Sequence, residues 1–206
     1  MKKLIVATRN PGKVSEIKAL LSGLPLAIVT LDDLPEFPPV EEDQTTFAGN
    51  ALKKAETIAR AFGEAALADD SGLEVDYLDG RPGVYSARFA GPGAEDAANN
   101  DLLLKKLQGV PPEKRGAAFK CVIALALPET DSLLVEGSCR GRIGLSPRGG
   151  DGFGYDPLFI YEPAGLTFAQ MELAEKNKVS HRGQALLKLR ALLEELLAAG
   201  PQGIEN

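Results

Sequence analysis

Apolar positions change their spacing repeatedly along the chain, and each change marks an element. Lys2 to Ala7 is a short aliphatic run that predicts a buried strand, broken by Pro11-Gly12. From Lys13 to Leu21, Val14, Ile17, Leu20 and Leu21 share one helical face, and Gly23 stops that helix. Ala27 to Leu31 predicts a second strand, and Asp32 to Asp43 an acidic, proline-rich loop. Thr45 or Thr46 caps the next helix, whose inward stripe is Ala48, Ala51, Leu52, Ala55, Ile58, Ala59 and Phe62, ended by Gly63. Ala65 to Ala68 is a strand running into Asp69-Asp70-Ser71-Gly72, and Leu73 to Tyr77 resumes extended. A loop-rich stretch, Arg81 to Gly93, precedes a helix from Glu95 to Leu107.

Ala117 to Leu127 and Leu133 to Ile143 then predict two long antiparallel strands, with a further strand over Leu158 to Tyr161. Thr167-Phe168-Ala169-Gln170 has the form of a capping box, opening a short helix to about Glu175. Ser180 caps a last helix carrying inward leucines from Leu186 to Leu197. Early βα units, then a hairpin, then helices, predict an α/β fold around a mixed sheet, one domain over residues 1–206.

Composition narrows the function. A hydrophobic content of 44% supplies a core, and a net charge of -6 argues against a general nucleic-acid-binding surface. A few local cations with a metal can still hold a triphosphate. Cys121 and Cys139 are expected as two buried thiols of a reducing compartment. The N-terminal apolar run is too short for a signal peptide and nothing downstream is long enough to span a bilayer, so a soluble cytoplasmic protein is expected.

Five polar, glycine-punctuated segments carry the candidate chemistry. Thr8-Arg9-Asn10-Pro11-Gly12-Lys13 links a strand to a helix start, where backbone N–H groups and the helix dipole attract phosphate. Its spacing is not that of a Walker P-loop, and a plain βα turn would also want Pro and Gly. Asp69-Asp70 at a predicted strand end, beside Ser71-Gly72, offers hard oxygen ligands of the kind Mg²⁺ takes, with a further carboxylate from Glu41 or Glu42. A turn cap and a solvated loop are the competing readings. In Gly152-Phe153-Gly154-Tyr155-Asp156-Pro157, Phe153 or Tyr155 can stack on a base, or fill the core at a bulge. Val40-Glu41-Glu42 is itself one of the five, and the last is Glu175-Lys176 followed by Ser180-His181-Arg182-Gly183. A cationic Arg182 at a helix start opposes the dipole, so an acceptor for it is expected.

With Thr46-Phe47, Asn50-Ala51 and Pro82-Gly83-Val84-Tyr85-Ser86-Ala87-Arg88, these segments resemble, in order and over nearly the whole chain, the inosine triphosphate pyrophosphatase family, also called XTP/dITP diphosphatases. The resemblance implies hydrolysis of ITP, dITP and XTP to the monophosphate and pyrophosphate with Mg²⁺, which cleanses the nucleotide pool. It implies a homodimer, and an elongated mixed sheet flanked by helices in two lobes with a central cleft. It also implies that Thr8, Arg9, Asn10, Pro11, Gly12 and Lys13 bind phosphate, that Glu41 and Asp70 serve the metal, and that Asp70 accepts the proton of the attacking water with Lys13 assisting. Ser71 would touch substrate, and Phe153, Gly154, Tyr155, Asp156, Lys176, His181 and Arg182 would hold the nucleotide, chiefly its base. Arg9 departs from the family, where glycine is common.

Overall fold

A computed structural model describes residues 3–128 and 130–199. Its seven-stranded sheet has the order β2-β1-β3-β4-β5-β6-β7. The strands are β1 (Lys3–Val6), β2 (Ala27–Thr30), β3 (Ala65–Val75), β4 (Gly116–Ala126), β5 (Leu133–Ile143), β6 (Phe159–Tyr161) and β7 (Leu166–Thr167). β1 pairs parallel with both β2 and β3, whereas β6 pairs antiparallel with β5 and β7, so the sheet is mixed as the element order predicts. The five α-helices among the described residues are α1 (Pro11–Leu21), α2 (Phe47–Phe62), α3 (Asp96–Lys106), α4 (Leu173–Val179) and α5 (His181–Ala199). None is long and apolar enough to cross a membrane.

The chain separates into two compact units, each built from segments distant in sequence. The first takes Met1–Asp70, Cys121–Gly137 and Arg182–Asn206. Its strands alternate their side chains between two faces. On one face Leu4, Val6 and Leu67 pack with Ile17 and Leu21 of α1 and with Leu186, Leu189 and Leu193 of α5. On the other, Ile5, Ala66 and Ala68 pack with Ala51, Ala55 and Ile58 of α2. The alanines let α2 lie close to the strands. Thr46 caps α2 by accepting from Gly49 N at 3.0 Å, and Gly63 ends it in the left-handed region, φ 63°.

The second unit takes Ser71–Lys120 and Ser138–His181. Its core joins Leu73, Val75, Leu103, Leu107, Phe119, Leu158, Phe159 and Phe168. Phe119, Phe159 and Phe168 stack and tilt on one another at centroid distances of 4.7–5.8 Å, geometries favoured by the ring quadrupoles.

Two expectations change here. β3 does not end at the aspartates: it runs unbroken from Ala65 to Val75, because Asp69, Asp70 and Gly72 keep strand geometry while their flanks stay buried. The Thr167 capping box with Gln170 is present, but it starts one 3-10 turn, Phe168–Gln170, and the next helix begins only at Leu173. Cys121 and Cys139 are free and buried, and burial pushes their thiols up to about 12 and about 11.

Candidate active site

Asp69 and Asp70 are adjacent in a strand, so their carboxylates leave the sheet on opposite faces. Their mutual repulsion is thereby relieved geometrically, and each aspartate has its own partners.

Asp69 joins the face shared by α1 and α5. Its Oδ2 lies 3.0 Å from Lys13 Nζ and 3.1 Å from Arg182 Nε, and the Arg182 Nη1 donates to Glu16. Asp69, Arg182 and Glu16 are each no more than 2% exposed. Burial would raise the Asp69 pKa, but Lys13, Arg182 and Lys54 outweigh it and hold the carboxyl well below the usual range. Burial likewise opposes the Arg182 charge, and Asp69 and Glu16 reverse that effect. Arg182 at the start of α5 does have the acceptor its position demands, and that acceptor is a pair of protein carboxylates. These two carboxylates are partners that the structure shows for Arg182, which the resemblance also assigns to the base.

Asp70 joins the face of α2. Asn50 Nδ2 donates to its Oδ2 at 2.9 Å, and Lys54 Nζ stands 3.8 Å from its Oδ1. Lys54 also bonds Glu42 Oε1 at 2.8 Å and the Asp69 carbonyl at 2.7 Å. Burial raises the Asp70 pKa, Lys54 and Asn50 offset it only in part, and Glu42 adds to the rise. Burial disfavours the Lys54 charge, but Asp70, Asp69 and Glu42 together raise its pKa. Glu41, which the resemblance made a metal ligand, is exposed, whereas Glu42 carries the contact with Lys54.

Lys54 was not singled out from the sequence, and Asn50 entered only with Ala51 as part of the resemblance, without a role. The signal was available: they lie four apart, bracketing Ala51 and flanking Ala55, so a fully buried amide sits on the apolar stripe of α2. Glu16 gives the same signal beside Ile17 in α1.

The Thr8–Lys13 loop is held by its own groups. Asn10 N donates to Thr8 Oγ1 at 3.2 Å, and Asn10 caps α1 by accepting from Lys13 N at 3.1 Å. Val14 N bonds the Asn10 carbonyl and Pro11, at the first helical position, has no N–H. The loop's charge toward an anion therefore comes mainly from Lys13. Arg9 turns to the acidic loop, with Nη2 on the Phe37 carbonyl at 3.2 Å and Nε 3.8 Å from Asp32.

The remaining predicted residues gather in the second unit. Asp156 Oδ2 accepts from Phe153 N at 3.0 Å and from Lys176 Nζ at 2.7 Å, and Lys176 Nζ stands 5.1 Å from the Phe153 ring centroid. Gly152 is obligatory: φ is +79°, and a Cβ there would lie 2.1 Å from Asp156 Oδ2. Helix α3 holds Gly154 from two sides, with Gly154 N donating to Asp96 Oδ2 at 2.6 Å and Asn100 Nδ2 donating to Gly154 O at 2.9 Å. Tyr155 is buried, its hydroxyl donating to Ser86 O at 2.9 Å, so of the two aromatic rings Phe153 is the half-buried one. His181, 5% exposed, stacks on Phe119 at 4.6 Å. Ser71 continues β3 and is partly buried.

Comparison with known proteins gives the family. The family model described as "Ham1 family" matches residues 4–192. A curated protein of Geobacter sulfurreducens named dITP/XTP pyrophosphatase is 55% identical over 205 residues, covering 100% of both chains. Among solved structures, the Ham1 protein of Staphylococcus aureus superposes with a TM-score of 0.85 at 38% identity, covering 95% of this chain and 100% of that one. A Mycobacterium abscessus structure described as a nucleoside-triphosphatase or dITP/XTP pyrophosphatase gives a TM-score of 0.74 at 45% identity, covering 91% of this chain and 98% of that one. The chain belongs to the Ham1 family.

Proposed function

We propose that this protein hydrolyses dITP, XTP and ITP to the nucleoside monophosphate and pyrophosphate. The full-length likeness to a curated dITP/XTP pyrophosphatase supports the substrate class. The observation that carries the chemistry is the unequal environment of Asp69 and Asp70.

Water attacks the α-phosphorus and pyrophosphate leaves. Asp70 orients that water and takes its proton. A carboxylate whose pKa lies above the ordinary value is a better base than a solvated one, provided it stays ionised at the working pH. Asn50 fixes Oδ2 of Asp70 by its hydrogen bond, which orients the carboxylate for this work. Asp69 does different work, holding Lys13 Nζ at 3.0 Å as a positioned charge for the triphosphate. Thr8 to Gly12 shape the phosphate loop around it.

The donor set suits Mg²⁺. Among the described residues no three His, Cys, Asp or Glu side chains gather as a protein-only metal cage. Mg²⁺ does not require one, since it takes one or two carboxylates with substrate phosphates and water. Asp70 and a carboxylate of the Glu41–Glu42 pair would hold it; when bound, the ion neutralises phosphate charge.

The base is assigned to the second unit. Phe153 offers a stacking face, and Lys176 beside it a donor for the six-position carbonyl of hypoxanthine or xanthine. Adenine presents an amino donor there, and a donor left facing a donor discriminates strongly. The family reading also carries a homodimer and a cytoplasmic setting.

The decisive experiment incubates the purified protein with dITP, XTP, ITP, ATP and GTP, with and without Mg²⁺, and resolves products by ion exchange. The expected result is monophosphate plus pyrophosphate from the first three, dependent on Mg²⁺. Release of inorganic phosphate, or equal kcat/KM on ATP, would defeat the proposal.

A further inference from the structure

A cavity of about 350 Å³ opens at the C-terminal end of α3, lined by Leu104, Leu107, Val110 and Leu145 with Lys105 and Arg115. It lies within the second unit, borders that unit's core at Leu107 and Val110, and shares no residue with the candidate active site. Its volume is at the small end of the range usual for small-molecule sites, about 300–1,000 Å³.

Arg115 makes it more than a dent. Its side chain follows the loop after α3 and is anchored by its backbone, whose carbonyl accepts from Ile143 N at 2.9 Å. The residue is only 3% exposed. Its guanidinium makes one described hydrogen bond, from Nη2 to Leu107 O at 3.4 Å, and Nε has no partner among the described residues. An arginine buried this deeply keeps its charge and presents five donors. Capping the Leu107 carbonyl occupies one of them, and at a long distance. Burial alone lowers its pKa, with no carboxylate offsetting the effect. Elsewhere in this chain the deeply buried cations have carboxylates: Arg182 has Glu16 and Asp69, and Lys176 has Asp156.

We infer that this cavity binds a small organic carboxylate with an apolar body, its carboxyl group seated on the Arg115 fork and its hydrocarbon part against Leu104, Leu107, Val110 and Leu145. The fork matches a planar carboxylate in two parallel hydrogen bonds. One buried cation balances one negative charge, which favours a monoanionic carboxylate over a phosphate dianion. Leu145, 67% exposed, is the apolar rim that such a ligand would cover.

The test uses the full-length protein with methyl-labelled leucine and valine, titrated with hexanoate, hexanol and hexyl phosphate. Hexanoate is expected to shift the Val110 and Leu145 methyls saturably and to bind about 10-fold or more tightly than hexanol, the gain of a charge-assisted pair. Arg115→Met should erase that difference, and Arg115→Lys, which keeps the charge without the fork, should restore only part of it. Should Arg115→Met fold poorly, Leu145→Glu supplies an independent arm: it places a negative charge at the exposed mouth and should weaken hexanoate while sparing hexanol. Equal binding of hexanoate and hexanol overturns the inference, as do shifts that survive Arg115→Met. Tighter binding of hexyl phosphate overturns the carboxylate assignment. A response that disappears on dilution would mean the cavity is completed by a second copy of the chain, and would overturn it too.

Discussion

The two sheet faces at Asp69 and Asp70 are built from the same strand, one residue apart, yet they treat a carboxylate in opposite ways. On the α1–α5 face, two cations meet one aspartate within 3.1 Å and a second acid, Glu16, closes the charge balance. On the α2 face, a neutral amide holds the aspartate, and Lys54, 3.8 Å from it, is shared with Glu42. Burial acts on both, so it does not distinguish them. The distinguishing factor is how completely the neighbours compensate the charge. A fully compensated carboxylate is a fixture, and an under-compensated one remains available for proton transfer or a cation.

The largest expected effect tests the fixture. Asp69→Asn leaves Lys13 and Arg182 facing a neutral amide in a dry site and should cost about 3 kcal/mol or more of stability in urea denaturation at neutral pH. A loss below about 1 kcal/mol would show that the four charges are not a unit. The sign with pH follows from the lowered pKa: the Asp69 contribution is complete above the unfolded value, about 3.9, and is lost as pH falls below it.

Asp70→Asn probes the other face. Turnover of dITP should fall roughly 10²-fold or more, while stability holds or rises, because a raised pKa means the ionised form is penalised by folding. That penalty is absent below the unfolded pKa and sets in as pH rises through the folded one, so the two aspartates give opposite slopes of stability with pH. Near-normal turnover would remove Asp70 from the proton-accepting role. Phe153→Ala should raise the KM for dITP by about 10-fold with kcat nearly kept, the scale of one stacking contact, whereas Tyr155→Phe, which loses a hydrogen bond to Ser86 O, should lower stability and leave KM alone. The smallest effect sharpens the comparison: Lys54→Met should move the acidic limb of the kcat/KM profile upward by about one pH unit, since the cation opposing the Asp70 rise is gone. An unmoved limb would mean that Lys54 does not tune this group.

Much of this was readable in the chain. The short aliphatic runs, the Thr46 and Gly63 boundaries of α2 and the Asn10-Pro11 start of α1 follow from local rules of capping and backbone geometry. The polar segments pointed to the family, because glycine beside paired acids serves no core, and the comparisons bear that family out. Three features were not legible. Continuity of β3 through Asp69-Asp70-Ser71-Gly72 depends on partners contributed by α1, α2 and α5, and single-sequence patterning reads that tetrapeptide as a turn. One partner of Arg182 is Glu16, 166 residues away, and no local spacing reports such a pair. The different fates of Phe153 and Tyr155 turn on whether a ring meets Ser86 or Lys176, which is settled by tertiary packing.

Gly152 and Gly150 stand two residues apart in one loop and face contrasting demands. A Cβ at Gly150 would meet nothing within 4 Å, whereas one at Gly152 would collide with the carboxylate that seats both the Phe153 amide and Lys176. A library built on this loop can therefore diversify position 150 freely. At position 152 even alanine would unseat the lysine together with the aromatic ring beside it, so a missing methyl group is itself part of the aromatic wall's construction.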